Sequence, residues 1–374
     1  MKKVYLDNAA TTPLRPEVIN EITKTLQCIY GNASSTHSFG RDAKSVIENS
    51  RKKIAQLIGA QSSEIIFTSS ATEATNWILN NAVTQLNCTQ IITCKTEHHA
   101  TLYTIKALQK QYNVNVEFLK TKSCGAVDIE YLNAILSQTS HKTIVSLMHV
   151  NNETGVVLPI DKIAKICKNY HALFHCDTVQ SVGKLPLNLN EMDIDFIVAS
   201  AHKFHGPKGV GFAYIRKGQN MQSLFYGGEQ EKGLRAGTEG VHQIAGMAKA
   251  LELSYLYLDE EQKYISNLKE YCIKKILELM PTAKINGEHT LYTVLNITLP
   301  ISEAKAPLLL FNLDMKGIAL SRGSACQSGS VKPSHVLAEM LQEDDLKKPS
   351  IRVSFSHYNT KEDIDYLIEA LKSI

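Results

Sequence analysis

The stretch Ser200-Ala201-His202-Lys203 is the point from which this chain is best interpreted. It follows the apolar run 195–199, which reads as a buried strand, and it precedes the turn-forming residues Gly206-Pro207-Lys208-Gly209. A lysine at the end of a buried strand is well placed for desolvation, which lowers the pKa of its amine and makes it a nucleophile toward aldehydes. Taken alone, Lys203 is more simply interpreted as a solvated surface lysine, so the rest of the chain must decide.

A second apolar run, 172–176, ends in Asp177 and also reads as a strand. Ligand sites in α/β sheets collect at the ends of strands. A strand-end lysine and a strand-end aspartate together match the needs of a pyridoxal phosphate enzyme. The lysine forms a Schiff base with the cofactor, and the carboxylate keeps the pyridine nitrogen protonated so that the ring withdraws electrons.

The composition excludes several classes of protein. The chain has 374 residues, enough for one large domain and a smaller one, and its hydrophobic and charged fractions of 44% and 21% are those of an ordinary soluble protein. The net charge of +3 comes without a long basic block, so we expect no direct binding of nucleic acid. The N-terminus loses its apolar character too early for a signal peptide, and no apolar run approaches the ~20 residues of a spanning helix. We therefore expect no membrane association.

The eight cysteines are scattered, without a C-x-x-C pair or the spacing of zinc ligands. This pattern predicts reduced thiols, a cytoplasmic location and no metal site. Cys326 differs from the others because nearly all its neighbours in the stretch 321–330 are small, as in an exposed loop. Arg322 would favour its thiolate form. A functional thiol and a cysteine placed in a loop by chance both remain open on this evidence.

Two polar stretches follow predicted strands and each allows two interpretations. Ser70 and Glu73, after the strand 64–68, fit a capping box, but a helix N-terminus after a strand is also a phosphate site. No nucleotide-binding glycine motif occurs, so a nucleoside triphosphate or a dinucleotide is not expected. His98, after the strand 90–94, either has a structural role or stacks on a planar ring.

The order of predicted elements indicates the fold. Strands alternate with helices through the first two thirds of the chain, which favours an α/β fold with a mostly parallel sheet covered by helices on both faces. A long helical stretch, about His242 to Met280, then leads into a small α+β unit.

Taken together, several stretches resemble the group I cysteine desulfurases, which are class V, fold-type I pyridoxal phosphate enzymes. The match runs in order from residue 4 to about residue 370. It implies a large domain with a mostly parallel, seven-stranded sheet at residues 14–250. A small α+β domain with the catalytic cysteine loop would comprise residues 1–13 and 251–374. The stretches are Tyr5-Leu6-Asp7-Asn8-Ala9-Ala10-Thr11-Thr12-Pro13, Ala71-Thr72-Glu73, Thr96-Glu97-His98, Val150-Asn151-Asn152-Glu153, Asp177 with Gln180-Ser181-Val182-Gly183-Lys184, His202-Lys203, Arg235 with Gly237-Thr238, and Gly323-Ser324-Ala325-Cys326.

The resemblance also implies roles for single residues. Lys203 would hold pyridoxal 5'-phosphate, Asp177 would pair with its pyridine nitrogen, and His98 would stack on the ring and take part in proton transfers. Arg352 would bind the substrate carboxylate through its planar fork, assisted by Asn32. Gln180 and Asn152 would bind near the phenolic oxygen of the cofactor and the substrate. The phosphate would be bound by Ala71, Thr72, Ser200 and His202, together with Ala201. Thr238 from the neighbouring subunit of a homodimer would also bind the phosphate.

The implied reaction converts L-cysteine to L-alanine. The thiolate of Cys326 would take the sulfur as a persulfide and pass it to an acceptor protein, such as an iron–sulfur scaffold, or toward tRNA thiolation. Some relatives dock the scaffold through a longer C-terminal tail, which this sequence lacks after Ile374. An aminotransferase needs no thiol like Cys326, whereas a selenocysteine lyase stays open. A binding module without turnover would have no reason to keep Lys203, Asp177, His98 and Cys326.

Overall fold

The computed structural model describes residues 2–302, 306–322 and 334–373, so the predicted nucleophile Cys326 lies outside the described residues. The strands are β1 Val4–Tyr5, β2 Ile65–Thr68, β3 Gln90–Cys94, β4 Asn115–Leu119, β5 Thr143–Met148, β6 Leu173–Asp177, β7 Phe196–Ser200, β8 Gly211–Ile215, β9 Lys284–Ile285, β10 Val294–Thr298, β11 Ile318–Ala319 and β12 Ser350–Ser354. The helices are α1 Pro16–Cys28, α2 Ser38–Leu57, α3 Ala71–Thr84, α4 His99–Tyr112, α5 Ile129–Gln138, α6 Ile160–Asn169, α7 Val241–Leu256, α8 Leu258–Leu279, α9 Leu309–Met315, α10 His335–Ala338, α11 Glu343–Leu346 and α12 Lys361–Lys372.

A seven-stranded sheet forms the centre of the molecule, in the order β2-β8-β7-β6-β5-β3-β4. Only β8 runs against the others, since it pairs antiparallel with both β2 and β7. Every residue of β5, β7 and β8 is buried, as expected for strands with helices on both faces. The prediction of a mostly parallel, seven-stranded α/β sheet is confirmed.

Two further small sheets lie in the second half of the fold. Strands β12, β10 and β9 form an antiparallel sheet, and β1 pairs in parallel with β11. One apolar core joins Val4 and Leu6 to residues between 265 and 371, while the other cores lie between residues 18 and 253. This distribution supports the proposed domain boundaries, which remain a prediction.

The predicted helical stretch 242–280 is two helices, α7 and α8, with Tyr257 between them. Within the described part of the chain, no helix combines the length and apolar character needed to cross a bilayer.

Candidate active site

The carboxyl ends of five strands meet at one edge of the large sheet, because β2, β3, β5, β6 and β7 all run in the same direction. A cavity of about 270 Å³ lies at this edge. Ten residues singled out from the sequence line it together. They are Ala71, Thr72, His98, Asn152, Asp177, Gln180, Ser200, His202, Lys203 and Arg352.

Lys203 ends the short turn Ala201–Lys203 that follows β7. Its Nζ donates hydrogen bonds to the backbone carbonyls of Ala9 and Ala10, each at 2.8 Å. Both alanines also line the cavity. The sequence did not predict this contact, although both residues belong to a stretch quoted above, because nothing in that stretch showed where its carbonyls point.

Asp177, the last residue of β6, lies opposite His98 in the cavity wall. Its Oδ1 accepts a hydrogen bond from the amide of Val179 at 3.0 Å. Burial raises the pKa of Asp177, and the charges of His98 and Lys203 offset part of that rise. A cationic partner that supplies a proton, such as a pyridinium, would compensate this buried carboxylate.

His98 is the N-cap residue of α4, and its Nδ1 accepts a hydrogen bond from the amide of Ala100 at 3.1 Å. Burial lowers its pKa, so the neutral ring is favoured. Because Nδ1 is the acceptor, the neutral ring carries its proton on Nε2. His98 therefore has the structural role that was one of the two alternatives, and its stacking on a planar ring stays a prediction.

The N-terminus of α3 forms another wall of the cavity. Ser70 Oγ accepts a hydrogen bond from the amide of Glu73 at 3.3 Å, which confirms half of the predicted capping box. The other half is wrong, because the carboxylate of Glu73 accepts from the amide of Ser69 at 2.8 Å and binds Arg235. The hydroxyl of Thr75 is buried at the cavity without a hydrogen-bond partner among the described residues. The capping interaction is therefore present, and the use of this helix N-terminus as a phosphate site stays a prediction.

Arg352 reaches the cavity from β12, outside the large sheet. Its guanidinium is only 1% exposed and binds Asp7 at 2.7 Å and the carbonyl of Asn152 at 2.8 Å. Its Nε is buried and has no hydrogen-bond partner in the part of the chain that the structure describes. A guanidinium held in this way is suited to a carboxylate.

Three of the predicted site residues that the structure describes do not line this cavity. Asn32 is exposed and accepts a hydrogen bond from the amide of Ser34, and Thr238 is exposed as well. Ala201 is fully buried in the turn before Lys203. The expectation that Thr238 serves a neighbouring subunit stays a prediction.

Two buried ionisable residues near the site were not predicted to have a role. Glu97 is 0% exposed, and burial raises its pKa to about 8. Lys184 is 9% exposed, and burial lowers its pKa to about 7. Both belong to stretches quoted for the resemblance, but only the fold shows that they are desolvated.

The lining of the cavity fits pyridoxal phosphate. A lysine amine, a buried carboxylate and a neutral imidazole surround the space, which suits an aldehyde, a pyridine nitrogen and a ring face. The amides and hydroxyls at the start of α3, with the unpartnered Thr75 hydroxyl, suit a phosphate.

Comparison with known proteins agrees with this fit. Residues 4–367 match the family described as "Aminotransferase class-V", and the chain belongs to this family. More narrowly, it is a pyridoxal phosphate-dependent enzyme of the cysteine desulfurase group. It is 41% identical to "Cysteine desulfurase IscS" of Dictyoglomus turgidum, over 100% of this chain and 94% of the relative. It is 40% identical to "Cysteine desulfurase" of a Nostoc species, over 100% and 93%.

Solved structures give the same result. A NifS-like protein superposes with a TM-score of 0.91 at 35% identity, over 100% of this chain and 99% of that chain. A NifS-like protein from Rickettsia africae gives a TM-score of 0.88 at 35% identity over the same shares. The predictions of family, fold type, enzyme class and cofactor are confirmed.

Proposed function

We propose that the protein takes sulfur from L-cysteine, leaves L-alanine, and carries the sulfur on Cys326 as a persulfide. The observation that carries this proposal is the convergence of Lys203, Asp177 and His98 on one cavity, with Arg352 at its edge. The similarity to cysteine desulfurases supports the choice of substrate.

Each residue has a distinct task in the proposal. When bound, the cofactor supplies an electron-withdrawing ring that makes the α-proton and the carbon–sulfur bond of the substrate labile. Lys203 would hold the cofactor through its side-chain amine. Asp177 would pair with the pyridine nitrogen, and His98 would stack on the ring and take part in proton transfers. Arg352 binds the substrate carboxylate.

The remaining polar residues around the cavity hold the cofactor in place. Asn152 and Gln180 bind near its phenolic oxygen. The phosphate is held by Ala71, Thr72, Ser200 and His202 beside Ala201, with Thr238 from the second subunit of a homodimer.

The sulfur transfer itself balances without an external oxidant. The Cys326 thiolate forms an S–S bond to the substrate sulfur while the C–S bond breaks. The electron pair of that bond stays with the substrate, which takes up a proton and leaves as alanine. The outer sulfur of the persulfide is then transferred to an acceptor protein, for which we propose an iron–sulfur scaffold in the cytoplasm.

The test is the amount of alanine that the purified protein releases from L-cysteine in the presence of a thiol reductant. We expect many equivalents of alanine per protein chain. The matched variant Cys326→Ala should keep the cofactor absorbance and form no persulfide. Alanine at background level from cofactor-loaded protein, or normal sulfur loading of an acceptor by Cys326→Ala, would contradict the proposal.

A further inference from the structure

Lys184 is a second lysine buried beside the candidate active site. It lies four residues after Gln180 in the turn that follows β6, and its Nζ is 3.0 Å from Gln180 Oε1. In the described part of the chain, no carboxylate lies within ion-pair distance of this nitrogen. A buried lysine without a counterion is costly, which indicates that its place beside Gln180 has a purpose other than stability.

Gln180 connects Lys184 to the site of Lys203. Its Nε2 donates to the carbonyl of Ala9 at 2.9 Å, and Lys203 donates to the same carbonyl at 2.8 Å. Gln180 also lines the cavity. The contacts therefore run from Lys184 through the side-chain amide of Gln180 to the carbonyl that binds Lys203.

The hydrogen-bonding groups on either side of Gln180, which are Lys184 and the carbonyl of Ala9, fix the orientation of its side-chain amide. Lys184 Nζ donates to Gln180 Oε1, and below its pKa of about 7 the ammonium can only donate, so the amide oxygen of Gln180 must face Lys184. The backbone carbonyl of Ala9 only accepts, so the NH₂ group must face Ala9. The second N–H of that group remains for the cavity. With the amide reversed, two acceptors would meet at Ala9 and two donors at Lys184.

We propose that Lys184 is a positioning residue, which holds Gln180 so that its amide donates toward the cofactor. The inference rests on the proposed function, in which Gln180 binds near the phenolic oxygen. A donor at that position stabilises the oxygen as an anion, whereas an amide turned the other way would present its own oxygen and favour protonation.

Several charged groups face Lys184 from the elements packed around it. Lys203 and Arg352 lower its pKa through their positive charge, and Lys184 in turn lowers the pKa of His202. A second, small cavity is lined by Lys184, His205 and Glu261. These groups stay unchanged in the variants below, so the comparison isolates Lys184.

The experiment measures how the absorbance of the cofactor bound to Lys203 changes with pH. In Lys184→Met, the apparent pKa of this change should rise by about one pH unit, because the amide of Gln180 is released and no longer donates toward the phenolic oxygen. Lys184→Arg keeps a donor-only cation and should stay within about 0.3 units of the wild type.

A double-mutant cycle separates positioning from simple charge. If Lys184 acts through Gln180, then Lys184→Met should add almost nothing in a Gln180→Met background. An unchanged pKa in Lys184→Met, or an equal shift in both backgrounds, would overturn the proposal. If Lys184→Met loses the cofactor, Lys184→Gln, which can still donate to Gln180, should restore it. Failure of both Lys184→Gln and Lys184→Arg would then overturn the proposal.

The wild-type protein provides the control for the underlying function. Absence of alanine from a wild type that shows the absorbance change would contradict the desulfurase reaction alone. An active wild type whose pKa matches that of Lys184→Met would contradict the role of Lys184 alone.

Discussion

Lys203 is the residue on which the proposed chemistry depends, and its replacement gives the most direct test. Lys203→Ala removes the amine that would hold the cofactor, so the visible absorbance of the Schiff base between the cofactor and Lys203 should disappear. Alanine formation should fall to background, because the cofactor is no longer attached through the amine of Lys203. Spectra and alanine assays of cofactor-saturated protein measure both effects.

Lys203→Arg is the matched control for this change. It keeps a cation that can donate to the carbonyls of Ala9 and Ala10, but it has no nucleophilic amine. It should fold like the wild type and lack the absorbance. Bound cofactor with normal absorbance in Lys203→Arg would show that another residue holds the aldehyde.

Glu97 gives a prediction for stability against pH. Its Oε1 accepts hydrogen bonds from the amide of Met148 and the thiol of Cys94, and burial raises its pKa to about 8. The folded state therefore binds a proton that the unfolded state releases near its ordinary pKa. Stability is fully present below that ordinary value and is lost as pH rises toward 8.

Glu97→Gln removes this proton linkage while keeping the shape of the side chain. The free energy of unfolding of the wild type should fall relative to the variant by about 1 kcal/mol per pH unit between pH 5 and 8. Denaturant titrations at a series of pH values measure this. If the free energies of unfolding of the two proteins changed with pH in parallel, Glu97 would be ionised in the folded state over this range.

At the scale of single residues, sequence reasoning found the groups that end strands. Asp177 and Lys203 were predicted because apolar runs lead directly to them, and strand ends share one sheet edge. Glu97 and Lys184 were missed as functional residues because desolvation depends on side chains far away in the sequence. The sequence also did not show that the charge of Asp7 would meet Arg352.

At the scale of an element, the segment 227–238 also contains a buried residue whose burial could not be predicted from the local sequence. Its glycines and charges are typical of a flexible surface loop, yet Glu231 is only 5% exposed. Its carboxylate binds Arg51 of α2 at 2.7 and 2.8 Å and accepts from the amide of Phe67. Glu231 and Lys232 both have positive φ, at 48° and 61°. The buried ion pair holds the backbone in this strained shape.

Breaking this ion pair should destabilise the fold. Glu231→Gln leaves the buried guanidinium of Arg51 with only Glu48, at 3.2 Å, as a counterion, so the free energy of unfolding should fall by about 3 kcal/mol. The exposed pair of Lys53 and Glu252, at 2.6 Å, is the control. Glu252→Gln should cost about 1 kcal/mol or less. If the free energy of unfolding fell equally in Glu231→Gln and Glu252→Gln, burial would not be the reason for the cost of breaking the Arg51–Glu231 pair.

At the scale of the whole molecule, Arg352 links the part of the chain around β12 to the large sheet at the candidate active site, because it binds the carbonyl of Asn152. Arg352→Lys keeps the charge beside Asp7 but loses the planar fork, so binding of a substrate carboxylate should weaken by about 1.5–3 kcal/mol. The KM for L-cysteine should then rise roughly 10- to 100-fold. Steady-state kinetics measure this.

The cofactor absorbance of Arg352→Lys should stay normal, because Arg352 acts on the substrate in this proposal. An unchanged KM would assign the substrate carboxylate to another group. A loss of cofactor would place Arg352 in cofactor binding instead.

The general architecture followed from the order of elements, because fully apolar runs that alternate with helices favour a parallel sheet. The pairing of β1 with β11 did not follow, since it joins residues more than three hundred positions apart. Two-residue strands of this kind carry almost no pattern of their own.

The segment from Asp7 to Ala10 also determines when the site is completed. Ala9, whose carbonyl binds Lys203 and Gln180, is held in turn by the hydroxyl of Ser354, and β1 rests on β11. A ribosome that has made the first 250 residues has made Lys203, Asp177 and His98, but not Ser354. The hydrogen bond that holds Ala9 must therefore wait until residue 354 has been made. Stable loading of the cofactor consequently requires synthesis of the chain through Ser354 and not only through Lys203.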